Sequence, residues 1–414
     1  MSSEWRSGRL GDFIELKRGY DLPQSKRVTG PYPLVSSSGV TDCHSVPMVR
    51  GPGVITGRYG TIGQVFFVEK DFWPLNTTLY VRDFKGNDPK FISYFLKTVD
   101  FLAYSDKAAV PGVNRNHLHE AKAVFPDIHT QRDIAEVLGA LDDRITLLRE
   151  TSTTLEAIAQ ALFKSWFVNF DPVRARQIGR VPEEVDEATS GMFPDDFDLT
   201  TLGLVPRGWR SSTMGDVTTV GIGKTPPRKE QHWFSQCAAD VRWVSIRDMG
   251  VAGVFASLTS EFLTKESIER FNVRVVPGNT VLLSFKMTIG RVAITDGEMA
   301  TNEAIAHFKL SENSPLTSEY IYLHLKQFDY SRLSSTSSIA DAVNSKTVRN
   351  IPVLVPTPEL LEAFQAQVQP IFARIKYIEK HAEVIAALRD TLLPRLILGQ
   401  LRLPEASGLM RHAA

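Results

Sequence analysis

Cysteine is almost missing: Cys43 and Cys237 are the only two in 414 residues. That is too few for a disulfide framework or a cysteine-built structural zinc site. No apolar run approaches the roughly 20 residues a membrane span needs, and the opening MSSEWRSGRLGDF has no apolar signal core. The chain therefore reads as soluble and cytoplasmic, with no membrane contact. Neither sign of charge prevails, since Lys plus Arg and Asp plus Glu number 47 each, so any basic surface must be local. A balance of 43% hydrophobic and 23% charged residues, without low-complexity tracts, excludes a disordered or collagen-like chain. The length exceeds one ordinary core and implies two or three domains.

Catalytic motifs are missing as well. Gly221-Ile222-Gly223-Lys224-Thr225 resembles the end of a phosphate-binding loop, but the glycine needed five positions before Gly223 is Thr218. His117 and His119 have the spacing of two ligands on one strand face, with no Cys or third His nearby, so no metal site is expected. There is no GxSxG, no acidic nuclease cluster and no glycine-rich dinucleotide fingerprint. These absences argue against catalysis by this chain.

What is present is a repeat. Glu4-Trp5-Arg6-Ser7 returns as Gly208-Trp209-Arg210-Ser211, an offset of 204. Tyr59-Gly60-Thr61-Ile62-Gly63 returns as Lys286-Met287-Thr288-Ile289-Gly290, and Asn76 is echoed by Asn302, with offsets of 227 and 226. Phe91–Lys97 is answered by Tyr320–Lys326, and Val113-Asn114 by Val343-Asn344 at an offset of 230. Words kept in order with a growing offset indicate a tandem duplication. The larger second copy is expected to owe its growth to the stretch HWFSQCAADVRW.

Each copy ends in a long helical pattern. Ile134, Leu138, Leu141, Ile145, Leu148, Ser152, Leu155, Ala159, Leu162 and Trp166 step by four and three alternately, which is a heptad seam. The second seam runs through Phe364, Val368, Ile371, Ile375, Ile378, Ala382, Ile385, Arg389, Leu392 and Leu396. Pro370 is expected to kink that helix, Arg389 to snorkel or pair, and Pro394 to bend or break the last turns. Ser152 matches Ala382, so a close approach is expected at that level. The first helix spans roughly 55–60 Å. A stripe of that length needs a partner, and an antiparallel pair within the chain is the economical solution; a homodimer is the alternative.

Ahead of each helix, β-type runs such as Val54–Thr56, Gln64–Val68 and Thr78–Val81 mix with one short helix over Lys90–Thr98. Val241–Ser245, Val281–Ser284 and Ala304–Phe308 play the strand role in the second copy. The fold class is α+β: two globular recognition domains separated by two long antiparallel helices forming an intramolecular coiled coil, with a pseudo-two-fold internal repeat. The expected domains are 1–127, a spacer helix 128–170, a linker 171–205 with one short helical turn, 206–357, a second spacer helix 358–401, and a tail 402–414.

Three stretches then carry a family resemblance. Gln131-Arg132-Asp133-Ile134-Ala135 through Asp142-Asp143-Arg144-Ile145, Ala161-Leu162-Phe163-Lys164-Ser165-Trp166-Phe167-Val168-Asn169-Phe170-Asp171-Pro172, and Leu392-Leu393-Pro394-Arg395-Leu396-Ile397-Leu398-Gly399-Gln400-Leu401 resemble the helices of type I restriction–modification specificity subunits. Lys224-Thr225-Pro226 with Trp243-Val244-Ser245-Ile246 resembles the opening of one class of its recognition domains. The resemblance implies a non-catalytic subunit that reads a bipartite, asymmetric site on double-stranded DNA. It implies two methyltransferase subunits carrying S-adenosylmethionine for adenine-N6 methylation, and restriction–translocase subunits using ATP and Mg, with no cofactor in this chain. The alternative is a coiled-coil scaffold, or a stand-alone DNA-binding protein without a methyltransferase partner.

Under that resemblance the candidate DNA contacts lie in loops and strand ends of both copies. They are Lys17, Arg18, Arg58, Tyr59, Lys107, Asn114 and Arg115 in the first, and Lys224, Lys286, Ser335, Asn344 and Lys346 in the second. Arg and Asn suit base edges, and Ser and Lys suit phosphate. A glutamate facing phosphate repels it, so Glu303 is not expected on the backbone. Helix pairing is assigned to Leu138, Leu141, Ile145 and Leu148 on the first helix and to Val368, Ile371, Ile375 and Ile378 on the second.

Overall fold

The computed structural model describes residues 5–106, 112–181, 185–200, 203–333, 344–406 and 408. The chain forms two compact units, Met1–Thr146 with Glu383–Ala414, and Leu147–Ala382. No helix among the described residues is long and apolar enough to cross a membrane.

The duplication is written in the strand registers. In the first head, Arg6–Arg9 pairs antiparallel with Lys122–Phe125, placing Arg6 opposite Phe125; in the second, Arg210–Thr213 pairs with Pro352–Val355, placing Arg210 opposite Val355. Strand Glu15–Arg18 sets Lys17 opposite Tyr80, and Thr219–Ile222 sets Gly221 opposite His307. Next inward, Ile55 meets Tyr80 and Leu282 meets His307. A parallel pair places Leu34 beside Trp73 and Trp243 beside Ala300. Each head thus holds four antiparallel strands of matching order in one sheet, and a second sheet built around that parallel pair.

These registers correct the location of the added chain. Lys17 to Leu34 is 17 residues against 22 for Gly221 to Trp243, but Leu34 to Ile55 is 21 against 39 for Trp243 to Leu282. Most of the growth therefore follows HWFSQCAADVRW. It supplies strand Phe255–Ala256, which extends the edge of the second head's sheet beyond Val292–Thr295.

The first long helix runs Ile128–Lys164 and continues as a π-helical turn, Ser165–Asn169. Asp127 starts it, its carboxylate accepting from the backbone N–H groups of His129 (3.0 Å) and Thr130 (3.1 Å). Phe170, at φ 59°, stops it in the left-handed region. The second helix, Pro358–Ile397, is unbroken, so neither Pro370 nor Pro394 ends it. Packing of its apolar face outweighs one lost backbone hydrogen bond at each proline.

Within each unit the helices pair as antiparallel neighbours. In the second, Phe167 packs against Phe364 at 4.8 Å between ring centroids, and Ser152 donates to Glu379 at 3.0 Å. In the first, Arg389 reaches Asp142 at 2.6 Å. Arg389 therefore pairs. Ser152 and Ala382 are both buried, and the Ser152 hydroxyl meets the Glu379 carboxylate. Leu138, Leu141, Ile145, Leu148, Val368, Ile375 and Ile378 are buried, but Ile371 is only partly so. Phe372 takes the buried place of Ile371, and Phe163 that of Leu162. The larger aromatic rings fill the space against the second head, where Phe163 and Phe372 meet Tyr320 and Tyr322.

The expected linker over 171–205 is corrected too. It holds helices Asp171–Gln177 and Glu187–Met192 and a strand, Phe197–Thr200, paired with Gly203–Pro206. Trp166 stacks edge-on to Phe193, and Phe170 sits between Phe197 and Trp209. These aromatic contacts repay the ordering entropy that a charged, aperiodic stretch was expected to keep.

Candidate nucleic-acid interface

One turn organises the loop end of each head. In the first, the Thr77 carbonyl accepts from the N–H groups of Arg58 (2.9 Å) and Tyr59 (3.3 Å), and the Leu75 N–H donates to the Val35 carbonyl at 2.8 Å. Tyr20 N–H donates to Pro74 and Gly19 N–H to Thr78, at 2.8 and 3.1 Å. The second head repeats four of these five bonds: Phe285 to Ala304 and Asn302 to Val244, Lys224 to Thr301 and Gly223 to Ile305, at 2.9–3.0 Å. The backbone frame is constant while its side chains differ.

That frame explains the glycines once suggestive of a phosphate loop. Gly221 lies on a strand, and a Cβ on Gly223 would stand 2.2 Å from the Asn302 carbonyl oxygen. Close backbone approach, not phosphate, requires glycine there. Gly19 is held the same way against the Leu75 carbonyl, at 2.2 Å.

Around this turn the first head gathers several of the candidate residues. Arg58 stacks its guanidinium 4.5 Å from the Tyr59 ring centroid. The Tyr59 ring covers Gly112, and Val113 N–H donates to the Arg58 carbonyl at 3.0 Å. Arg58, Tyr59 and the segment leading to Asn114 and Arg115 are thereby brought together. Arg18 is exposed but paired with Asp21 at 3.6 Å, and Asp21 also accepts from Asn76. Lys17 stands apart, its ammonium 5.3 Å from the Tyr20 ring centroid, with the Tyr20 and Tyr80 hydroxyls 2.9 Å from each other. The hydrogen bond from Tyr80 lowers the Tyr20 pKa, while burial raises that of Tyr80. A recess of about 370 Å³ opens beside the turn, lined by Asp21, Arg27, Ser36, Thr41, Asn76 and Thr77 among others.

In the second head Lys224 and Lys286 are exposed; Lys224 is tied to the same turn through Thr301, and Lys286 follows Phe285, which is tied to it through Ala304. Met287 beside Lys286 has a φ of 63° and is 91% exposed. Glu303 accepts from the Thr225 hydroxyl, so its charge has a partner. His307 replaces Tyr80 and is buried, which with Arg274 pushes its pKa down to about 4. It is neutral near pH 7 and contributes no charge to the surface.

Asn114 and Asn344 have a structural task. Each caps a short helix: Asn114 accepts from Asn116 N–H at 3.0 Å, and Asn344 from Lys346 and Thr347 at 2.9 and 3.0 Å. Arg115 and Lys346 lie in the first turn of those helices and are exposed. Lys107 and Ser335 lie outside the described residues. His117 and His119 lie on a helix, Arg115–His119, rather than a strand. His119 Nε2 accepts from Leu16 N–H at 2.9 Å, and burial lowers its pKa. Among the described residues no group of three or more His, Cys, Asp or Glu could hold a metal ion.

The residues that sequence reasoning passed over are Asn76-Thr77 and Asn302 with Ala304, the hub of each loop end. Their signal is the recurrence of Asn76 as Asn302. The loop ends offer cations, amides, hydroxyls and exposed backbone, a set suited to contact with phosphates and base edges.

Comparison with known proteins agrees with this geometry. The profile of the family described as "Type I restriction modification DNA specificity domain" matches residues 2–157 and 206–388. The HindI specificity subunit of a type I restriction enzyme from Haemophilus influenzae is 27% identical, over 82% of this chain and 84% of its own. The MjaIX specificity subunit from Methanocaldococcus jannaschii is 24% identical, over 90% of this chain and 82% of its own. The crystal structure of a type I restriction–modification S subunit from M. genitalium superposes with a TM-score of 0.56 at 15% identity, over 95% of this chain and 96% of that one. That likeness concerns the fold.

Proposed function

This chain belongs to the type I restriction–modification DNA-specificity family, and on that premise we propose that each head reads one half of a bipartite, asymmetric DNA site while the helix pair fixes the unread gap. A specificity subunit is the DNA-recognition component of such a system and is not catalytic. Its partners are DNA and the methyltransferase and restriction subunits. In this reading two methyltransferase subunits sit on the helices and methylate adenine N6. S-adenosylmethionine, ATP and Mg belong to those partners. Leu147 and Ile158 on the first helix and Tyr377 on the second, each more than half exposed, support the docking of such partners outside the seam.

One observation carries the reading: the same strand registers and turn bonds recur in both heads with different side chains on them. An unchanged frame presents the same kind of surface to a duplex, whose local two-folds offer it two half-sites. Changed side chains, Tyr59 for Lys286 and Asp21 for Thr225, make those half-sites unlike.

Exchanging residues 5–125 for the first head of another family member should change one half of the methylated motif and leave the other half and the gap intact. Sequencing of methylated adenines in cells carrying the exchange reads this directly. A motif altered in both halves would sink the assignment of one half to each head. Arg58→Ala and Lys286→Ala should weaken DNA binding by the assembled complex about equally on all sequences, each lowering the salt slope by roughly one ion. Titrations at several salt concentrations measure that slope, and a loss confined to one base position would instead assign the residue to base reading.

A further inference from the structure

The strand found only in the second head is where the second long helix takes hold of it. Glu379 Oε1 accepts from Val254 N–H at 2.9 Å and from the Ser152 hydroxyl at 3.0 Å, and Oε2 accepts from Phe255 N–H at 3.0 Å. Both carboxylate oxygens are thus engaged by consecutive backbone donors leading into strand Phe255–Ala256. The preceding Gly253 admits the carboxylate, since a Cβ there would stand 2.1 Å from Oε1. One turn earlier on the helix, Lys376 pairs with Asp296 at 2.8 Å, and Asp296 N–H donates to the Ala256 carbonyl at 3.0 Å.

From this grip a path of hydrogen bonds leads to the loop end. The Val254 carbonyl accepts from Ile294 N–H at 2.8 Å, and Phe255 lies beside Ile294 in parallel register. Strand Val292–Thr295 then pairs with Val281–Ser284. The turn between them is closed by Arg291 N–H on the Ser284 hydroxyl at 3.0 Å and by Gly290 N–H on the Ser284 carbonyl at 3.0 Å. Lys286 lies in that turn. Every link is directional, so displacement of Val254 and Phe255 relative to the helix carries over to the turn.

We infer that Glu379 is a positioning residue that fixes the DNA-facing turn of the second head against the spacer helix, and so sets how strictly the gap is measured. The inference rests on the ruler reading above. Hydrophobic packing alone permits small sliding, whereas a carboxylate shared by two adjacent N–H groups does not, because any slip leaves a part-buried donor unpaired.

The test uses the complete complex with its methyltransferase subunits and duplexes carrying the methylated motif with its native gap, or with one base pair added or removed. The readout is kcat/KM for adenine methylation on each duplex. Wild type should prefer the native gap strongly. Glu379→Gln keeps the shape but turns an amide N–H2 toward one of the two donors, and Glu379→Ala leaves both unpaired. Each should cut the preference for the native gap at least tenfold, with discrimination against mismatches in the first half-site unchanged. Gly253→Ala should reproduce the loss by displacing the carboxylate, and Ser152→Ala, which spares both backbone bonds, should keep the preference. If Glu379→Ala fails to assemble, the isosteric Glu379→Gln decides. A lowered melting temperature with the gap preference intact in Glu379→Gln and Gly253→Ala would make Glu379 a packing residue and overturn the inference. Wild type indifferent to the gap would overturn the ruler itself, a result distinct from failure of the variants.

Discussion

Lengthening both long helices by one heptad should lengthen the gap in the methylated motif by about three base pairs while both half-sites keep their bases. Seven residues add about 10 Å of rise, and B-form DNA rises about 3.4 Å per base pair. The matched insertion points follow from the antiparallel pairing: one after Leu148 and one after Ala382. They fall between the Asp142–Arg389 ion pair and the Ser152–Glu379 bond, so both survive. A heptad also keeps the seam facing its partner within about 20°. Insertion into the first helix alone should fail, because one of those two contacts must then slip by two turns. Three base pairs also turn the duplex by about 100°, taking 10–10.5 base pairs per turn, so some affinity should be lost. Methylome sequencing decides; an unchanged gap, or altered half-site bases, would mean that the helices are not the ruler.

The other large effect is expected at Ile375→Asp. Ile375 is fully buried in the core of the second unit, in the cluster that holds Val368, Phe372 and Phe364. An unpaired carboxylate there costs several kcal/mol, a large part of the roughly 5–15 kcal/mol that stabilises a typical domain. The variant should lose its cooperative melting transition and its methylation-directing activity together. Ile375→Val removes only a methylene, costs about 0.5–1.5 kcal/mol, and should still direct methylation of the same motif. Circular dichroism melts and a methylation assay on the reconstituted complex measure both. Leu141→Asp should do in the first unit what Ile375→Asp does in the second. Normal melting by either aspartate variant would place the seam elsewhere.

Periodicity made the helices legible because burial at a seam repeats with the helical turn. Residues from Ile134 to Leu148 therefore read correctly one by one. The reading slipped at Leu162 and Ile371, where Phe163 and Phe372 turn toward a head; packing by a third element does not follow the heptad. The repeat was legible as words, but the site of the added chain was not, because strand registers rather than word matches locate an insertion. At Pro394 helix-breaking propensity, a local quantity, did not end the helix, because the buried stripe continues through it. In the loops, composition pointed to Arg58 and Lys286 but could not reveal that Asn114 and Asn344 cap helices, or that Thr77 and Ala304 hold the frame. The frame roles of Thr77 and Ala304 depend on backbone atoms, which carry no residue type.

Each head enters and leaves through one antiparallel strand pair, Arg6–Arg9 with Lys122–Phe125 and Arg210–Thr213 with Pro352–Val355. Two residues then separate the closing strand from its long helix in both copies, Pro126-Asp127 before Ile128 and Pro356-Thr357 before Pro358. For a gene this geometry means that two crossovers, falling in the codons of neighbouring strands, replace a whole head without touching the reading frame or the helix scaffold. Such an exchange should give the chain a new half-site in one step. Point mutation instead changes one side chain at a time on an unchanged backbone frame.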